Sequence, residues 1–317
     1  MRSTATVALM IAITCVPVQR IQCEATAGTE QITFGPVGDI EPNVSPDGRW
    51  LAFQHFVANQ PGLVQIWIME LSKGFRSARR LVCNFDYAGE MSWSPDSKWI
   101  SFITRGNEPG RSTDQIYKIN ITTNETVRIT NFPEGTVIGD STTWSTSGLI
   151  GFARDGIIYC VPPAGGKEVQ VLDTRTILSD REPYSIRFSP DGKMLLFSVE
   201  NTEQDQSSIW VADLESKSVR RLTDHYLDLS PTWIDEGHVL FMRMEKKKWA
   251  EVEALSLSTG NLKQLTSKHI DFTPSTDPSG NVLYFSRKGK VPKNLEKGDF
   301  FAGYHIWRMP IPGKLLK

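Results

Sequence analysis

The sequence is short of cysteine, of net charge and of long apolar runs. Four cysteines occur in 317 residues. Cys15 and Cys23 fall in a segment expected to be removed, and Cys83 and Cys160 alone define no disulfide framework; both are expected as free, buried thiols. Thirty-five basic residues face 36 acidic ones, for a net charge of −1. Without a basic excess there is no face to neutralise phosphates, which excludes a general nucleic-acid binder. Nucleophile elbows (G-x-S-x-G), H-E-x-x-H and C-x-x-C are absent. The five histidines (His55, His225, His238, His269 and His305) are scattered without ligand spacing. No residue is therefore assigned as catalytic, and no metal set can be named.

The one apolar run, residues 5–18, reads ATVALMIAITCVPV. At about 14 residues it is short of the ~20 that span a bilayer, so no membrane span is expected. Arg2 before the run and Ala25-Thr26-Ala27 after it make residues 1–27 a signal peptide, leaving 28–317 as one exported domain. Residues 12–15 match a lipobox only loosely, because Thr14 stands where a smaller residue is required, so a lipid anchor on Cys15 is not expected.

What the sequence does have is a repeat. Four segments align directly: 43–53 (NVSPDGRWLAF), 92–102 (SWSPDSKWISF), 187–197 (RFSPDGKMLLF) and 275–285 (STDPSGNVLYF). Two more, 143–152 (TWSTSGLIGF) and 232–241 (TWIDEGHVLF), align with one residue deleted. Their closing phenylalanines, Phe53, Phe102, Phe152, Phe197, Phe241 and Phe285, recur every 44 to 50 residues. Each copy implies a strand, a turn set by Pro, Asp and Gly, a second strand ending in Phe, a third such as 65–71 (QIWIMEL), and in most copies a fourth such as 219–223 (VRRLT). Four antiparallel strands per period make a propeller blade. The sixth copy lacks a fourth strand, but residues 30–34 (EQITF) read like one. The expected fold is all-β: a six-bladed β-propeller of four-stranded blades, closed by the N-terminal strand, which removes open sheet edges.

The pattern of S-P-D-G turn, I-W/Y third strand and R-x-L-T fourth strand resembles the TolB-like β-propeller family over residues 30–317. It is carried best by Val44-Ser45-Pro46-Asp47-Gly48, Trp93-Ser94-Pro95-Asp96 and Phe188-Ser189-Pro190-Asp191-Gly192. The resemblance implies a secreted or periplasmic monomer that binds a protein or peptide. The family's namesake carries an additional N-terminal domain, which has no counterpart in these residues.

The strand leading into each S-P-D-G turn is the innermost, and period-two alternation sends one of its faces to the central channel. The fourth residue before the turn serine is Glu41, Glu90, Ser141, Ser185, Ser230 or Thr273, and the sixth includes Asp39, Asp228 and Asp271. Arg187 is second back in blade four. The expectation is a polar channel, acidic at its upper end, with Arg187 offsetting the charge. Three uses stay open: a water-filled channel without a ligand, a funnel for a cation, an amine or a basic peptide end, and acid–base chemistry by Glu41 and Glu90. In the third case the chain would be a hydrolase or lyase acting on sugars or lactones, with calcium as the possible cofactor; otherwise none is implied. Loops beside the funnel offer Tyr87, His225, Tyr226, Trp249 and Phe300 as rim contacts. Lys246-Lys247-Lys248 and the insertion 288–303 (KGKVPKNLEKGDFFAG) add a basic rim.

Overall fold

The computed structural model describes residues 20–21, 28–57, 60, 62–105, 113–178, 181–201, 206–245, 249–289 and 301–313. Six sheets follow one another along the chain. Their innermost strands are Asp39–Val44, Gly89–Trp93, Thr143–Trp144, Pro183–Phe188, Asp228–Asp235 and Asp271–Thr276. Five sheets have four strands each, and the blade-five sheet gains a fifth, Arg20–Ile21, on its outer edge. The expected fourth strand of blade six comes from the other end of the chain: Glu30–Gln31 pairs antiparallel with Tyr304–Pro310, Glu30 opposite Arg308. Thr33 completes the match. Its hydroxyl accepts the Ile306 amide at 3.0 Å, as Thr130, Thr223 and Thr266 accept the amides of Ile116, Ile209 and Val252. That is the structural role of the threonine in the R-x-L-T motif.

The turn serine and aspartate are equally legible in blades one, two and four. Ser45 accepts the Trp50 amide at 2.9 Å and donates to Asp47, which accepts the Arg49 amide at 3.0 Å. Ser94–Asp96 and Ser189–Asp191 repeat this, and degenerate blade three keeps it with Ser145 and Ser147. Gly48 and Gly192 take φ of 70° and 73°, which a residue without Cβ does at no steric cost.

The core lies between blades. Each of six hydrophobic clusters joins one blade to the next; the cluster containing Val44, Phe53, Tyr284 and Ile306 joins blade six to blade one. The six repeat phenylalanines are all fully buried. Cys83 and Cys160 are free and buried, and burial pushes both thiols up, Cys160 to about 11. Arg20–Ile21, within the expected leader, lies parallel to the outer strand of blade five, Leu262–Gln264. No helix among the described residues is long and apolar enough to cross a membrane.

Candidate functional site

The innermost strands do not alternate evenly. In five blades two residues oppose one repeat phenylalanine: Glu41-Pro42 faces Phe53, Glu90-Met91 faces Phe102, and Ser185-Ile186, Ser230-Pro231 and Thr273-Pro274 follow suit. This is a β-bulge, one extra residue that resets the pleat. Its first residue is left-handed in all five, with φ between 48° and 56°. Such a backbone costs a non-glycine residue roughly 1–2 kcal/mol, and Thr273, being β-branched, is the least suited of them.

The bulge decides what reaches the channel. Glu41, Glu90, Ser185, Arg187, Ser230 and Thr273 all line a cavity of ≈ 50 Å³ on the ring axis. Ser141 does not. Blade three has a two-residue inner strand with no bulge, Ser141 is buried against the Ile186 carbonyl, and Asp140 lines the cavity instead. The sixth-back aspartates are also corrected. They precede the extra residue, so they have the opposite phase and pair within their own blades. Asp228 takes two bonds from Arg243, both 2.8 Å. Asp271 takes two from Arg287, at 2.6 and 2.7 Å. Asp39 bonds His55 Nδ1 at 2.7 Å, with His305 Nδ1 4.0 Å away. All three are buried, and none lines the cavity.

Two carboxylates and one guanidinium dominate what remains. Glu41 Oε2 accepts from Gln54 Nε2, and the Glu41 amide donates to Ser286 Oγ at 3.1 Å. Glu90 Oε1 accepts from Tyr87 OH at 2.7 Å. Arg187 donates Nη1 to the Ile186 carbonyl at 2.8 Å and has no ion pair within 4 Å among the described residues. All three lie deep in the ring while keeping some contact with channel solvent. Burial pushes Glu41 well above the usual carboxylate range, with the charge of Glu90 adding and Arg187 opposing. Burial likewise raises Glu90 to about 7, against the Tyr87 hydrogen bond. Arg187 is lowered by burial and held up by the two glutamates. The expected acidic end thus holds its protons more tightly than ordinary carboxylates do, beside the Arg187 guanidinium.

The cavity opens upward past Asp140 and Arg105. They pair at 3.2 Å, with side chains 59% and 50% exposed, and Arg105 also covers the Tyr87 ring at 4.9 Å. Tyr87 is outside the cavity lining but touches it through its hydrogen bond to Glu90. His225, 3.9 Å from Asp228, Tyr226, whose carbonyl accepts the Ser207 amide, and Trp249, opposite Glu245, also stand outside that lining. Phe300 and Lys246 to Lys248 lie outside the described residues, as do residues 290–299 of the insertion. Below Arg187 the channel widens into a second cavity of ≈ 490 Å³, walled by Trp93, Trp144, Phe188 and Trp233. Gln54, Arg105 and Asp140 were missed in the sequence, since they come from second strands and loops outside the repeat columns.

No family model and no curated protein matches this sequence. Solved structures do. TolB from Acinetobacter baumannii matches with a TM-score of 0.58 at 18% identity, over 87% of this chain and 65% of its own, so this chain spans a little under two thirds of that protein. TolB from Agrobacterium tumefaciens matches with a TM-score of 0.59 at 19% identity, over 90% of this chain and 97% of its own. Oligogalacturonate lyase from Vibrio parahaemolyticus matches with a TM-score of 0.57 at 14% identity, over 90% and 81%. At these identities the likeness is one of fold, and it agrees with the repeat: the chain is a TolB-like six-bladed β-propeller.

Proposed function

We propose that this chain is an exported binding propeller whose upper channel mouth receives a basic group carried by a protein or peptide partner. The observation that carries this reading is the pair Glu41 and Glu90. They come from adjacent blades, are fixed in left-handed bulges, and face one small cavity with raised proton affinity. A carboxylate that holds a proton because it is desolvated gains from exchanging that proton for a hydrogen-bonded ammonium. The likeness to TolB propellers adds a fold suited to presenting such a mouth, and the apolar leader supports a secreted or periplasmic location. The self-closed ring supports a monomeric working unit.

Calcium is the other occupant the carboxylates could take. Among the described residues no group of three or more His, Cys, Asp or Glu side chains is arranged to hold a metal ion, which favours the organic cation. Catalysis on sugars or lactones would need the pair to flank a substrate-sized cleft, whereas the cavity they face admits only one small group.

The test is calorimetric titration of the peptide Ala-Lys-Ala-Lys, with a free amino terminus, into the full chain at pH 7, in buffers of different ionisation enthalpy. Binding with proton release is expected. It should weaken at least about tenfold in the Glu41→Gln, Glu90→Gln double variant, the loss of a charge-assisted hydrogen bond. Equal affinity of the variant would reject the reading, as would no binding in either protein; calcium titrated in parallel addresses the competing occupant.

A further inference from the structure

We infer that the basic group this cavity takes is the amino terminus of a chain rather than a lysine side chain; the inference rests on the binding reading above. The argument is one of matching donors to acceptors. Glu41 spends Oε2 on Gln54, and Glu90 spends Oε1 on Tyr87, with Arg105 Nη2 4.0 Å from that same oxygen. The other oxygen of each, Glu41 Oε1 and Glu90 Oε2, has no hydrogen-bond donor among the described residues. Once an incoming ammonium has displaced their protons, these are two anionic acceptors from neighbouring blades, on the wall of one cavity.

Arg187 supplies the opposite function in the same cavity. Nη1 is used on the Ile186 carbonyl, and the remaining N–H groups have no acceptor among the described residues. A deeply placed guanidinium with unused donors is costly unless water or a ligand completes it. The glutamates are near enough to hold its pKa up, yet neither is within ion-pair distance. The gap between cation and anions is therefore space for a guest that carries both a donor and an acceptor.

The guest must also be small. A cavity of ≈ 50 Å³ holds a few heavy atoms, given that one water needs about 10–15 Å³ by the same measure. A lysine entering end-on satisfies the carboxylates, but its ammonium is followed only by methylenes and brings no acceptor for Arg187. An α-ammonium is followed after two bonds by a carbonyl oxygen. It presents donors to Glu41 and Glu90 and an acceptor to Arg187 within the same few atoms. The chain that follows then leaves past Asp140 and Arg105 toward solvent.

Three amidated tripeptides separate the possibilities by calorimetry on the wild-type full chain. They are Ala-Ala-Ala with a free amino terminus, acetyl-Ala-Lys-Ala, and acetyl-Ala-Ala-Ala as the blank. The expected order is the free terminus tighter than the acetylated lysine peptide by about tenfold, with no binding of the blank. Arg187→Lys, which keeps the charge and loses the fork, should reduce that preference toward unity. Equal or tighter binding of the acetylated lysine peptide overturns this inference and leaves the basic-group reading standing. No binding of either cationic peptide overturns both. The peptide comparison is made on the native protein, so it does not depend on how well the Arg187 variant folds.

Discussion

The two ends of the channel are built from the same six strands and have opposite characters. The upper cavity is small, polar and varied around the ring, with two glutamates, an aspartate, two serines and a threonine: Glu41, Glu90, Asp140, Ser185, Ser230 and Thr273. The lower one is about ten times larger and more repetitive, with Trp93, Trp144, Phe188 and Trp233 in one repeat column that Val44 and Thr276 complete in blades one and six. Arg187 borders both. The lower ring is tied into the architecture. Trp93 Nε1 donates to the Asn43 carbonyl at 2.9 Å and Trp233 Nε1 to the Arg187 carbonyl at 3.1 Å, each across a blade boundary. Repetition marks what every blade needs in order to pack against the next, and departure from repetition marks where the ring has been made specific.

The largest effect should come from breaking the repetitive end. Trp93 is 5% exposed and packs in the cluster that joins blades one and two. Trp93→Ala should lower unfolding free energy by ~3–5 kcal/mol, read by urea denaturation, while peptide binding at the upper mouth persists in the folded fraction. A variant of native stability that no longer binds peptide would invert the comparison and make the lower cup the site.

The second effect belongs to the polar end and is read by pH. Glu90 is raised to about 7 from an ordinary carboxylate value, and Glu41 is raised as well. The folded state therefore binds more protons than the unfolded chain between about pH 4.5 and 7. Stability contributed by these groups is greatest below the unfolded pKa and falls as pH rises through the folded one. Thermal melts from pH 5 to 8 should show wild type losing stability relative to Glu41→Gln, Glu90→Gln, by on the order of 3 kcal/mol for Glu90. Asp140, Arg105, Arg187 and Tyr87 face the same pair and are common to both proteins, so the difference isolates the glutamates. Parallel curves would mean that the carboxylates ionise normally and that the cavity is wetter than its walls imply.

The fold was legible because every blade repeats the same backbone problem and solves it with the same side chains. Ser45–Asp47, Thr33 and Phe53 each have counterparts at fixed offsets. The site was legible only past the bulge. Glu41, Glu90, Ser185, Arg187, Ser230 and Thr273 were found by position, but Asp39, Asp228 and Asp271 were carried to the channel by an alternation that one extra residue cancels. A left-handed residue announces itself when it is glycine, and here it never is. The available signal was Pro42, Pro231 and Pro274 in one column of an innermost strand, where proline cannot join a ladder and so points to a bulge. The replacement of Ser141 by Asp140 had no such signal, since blade three differs there by lacking the bulge itself.

The smallest effect tests whether the left-handed column is retained for its side chains. Ser185 has φ of 51° and, among the described residues, no side-chain hydrogen bond. Ser141, its counterpart in blade three, is not in that conformation and bonds the Ile186 carbonyl at 3.4 Å. Ser185→Gly releases roughly 1–2 kcal/mol of backbone cost and gives back about 0.5–1 kcal/mol in chain entropy, so it should stabilise slightly. Ser141→Gly has only the entropy to lose and should destabilise by a similar amount. Opposite signs in paired denaturation curves would show that five blades carry a strained residue at the cavity where glycine would fit the backbone better. In that case the strain is the cost of the polar lining. Matching signs would mean that the neighbouring strands impose the bulge without strain, and that the side chains at the mouth are there for packing alone.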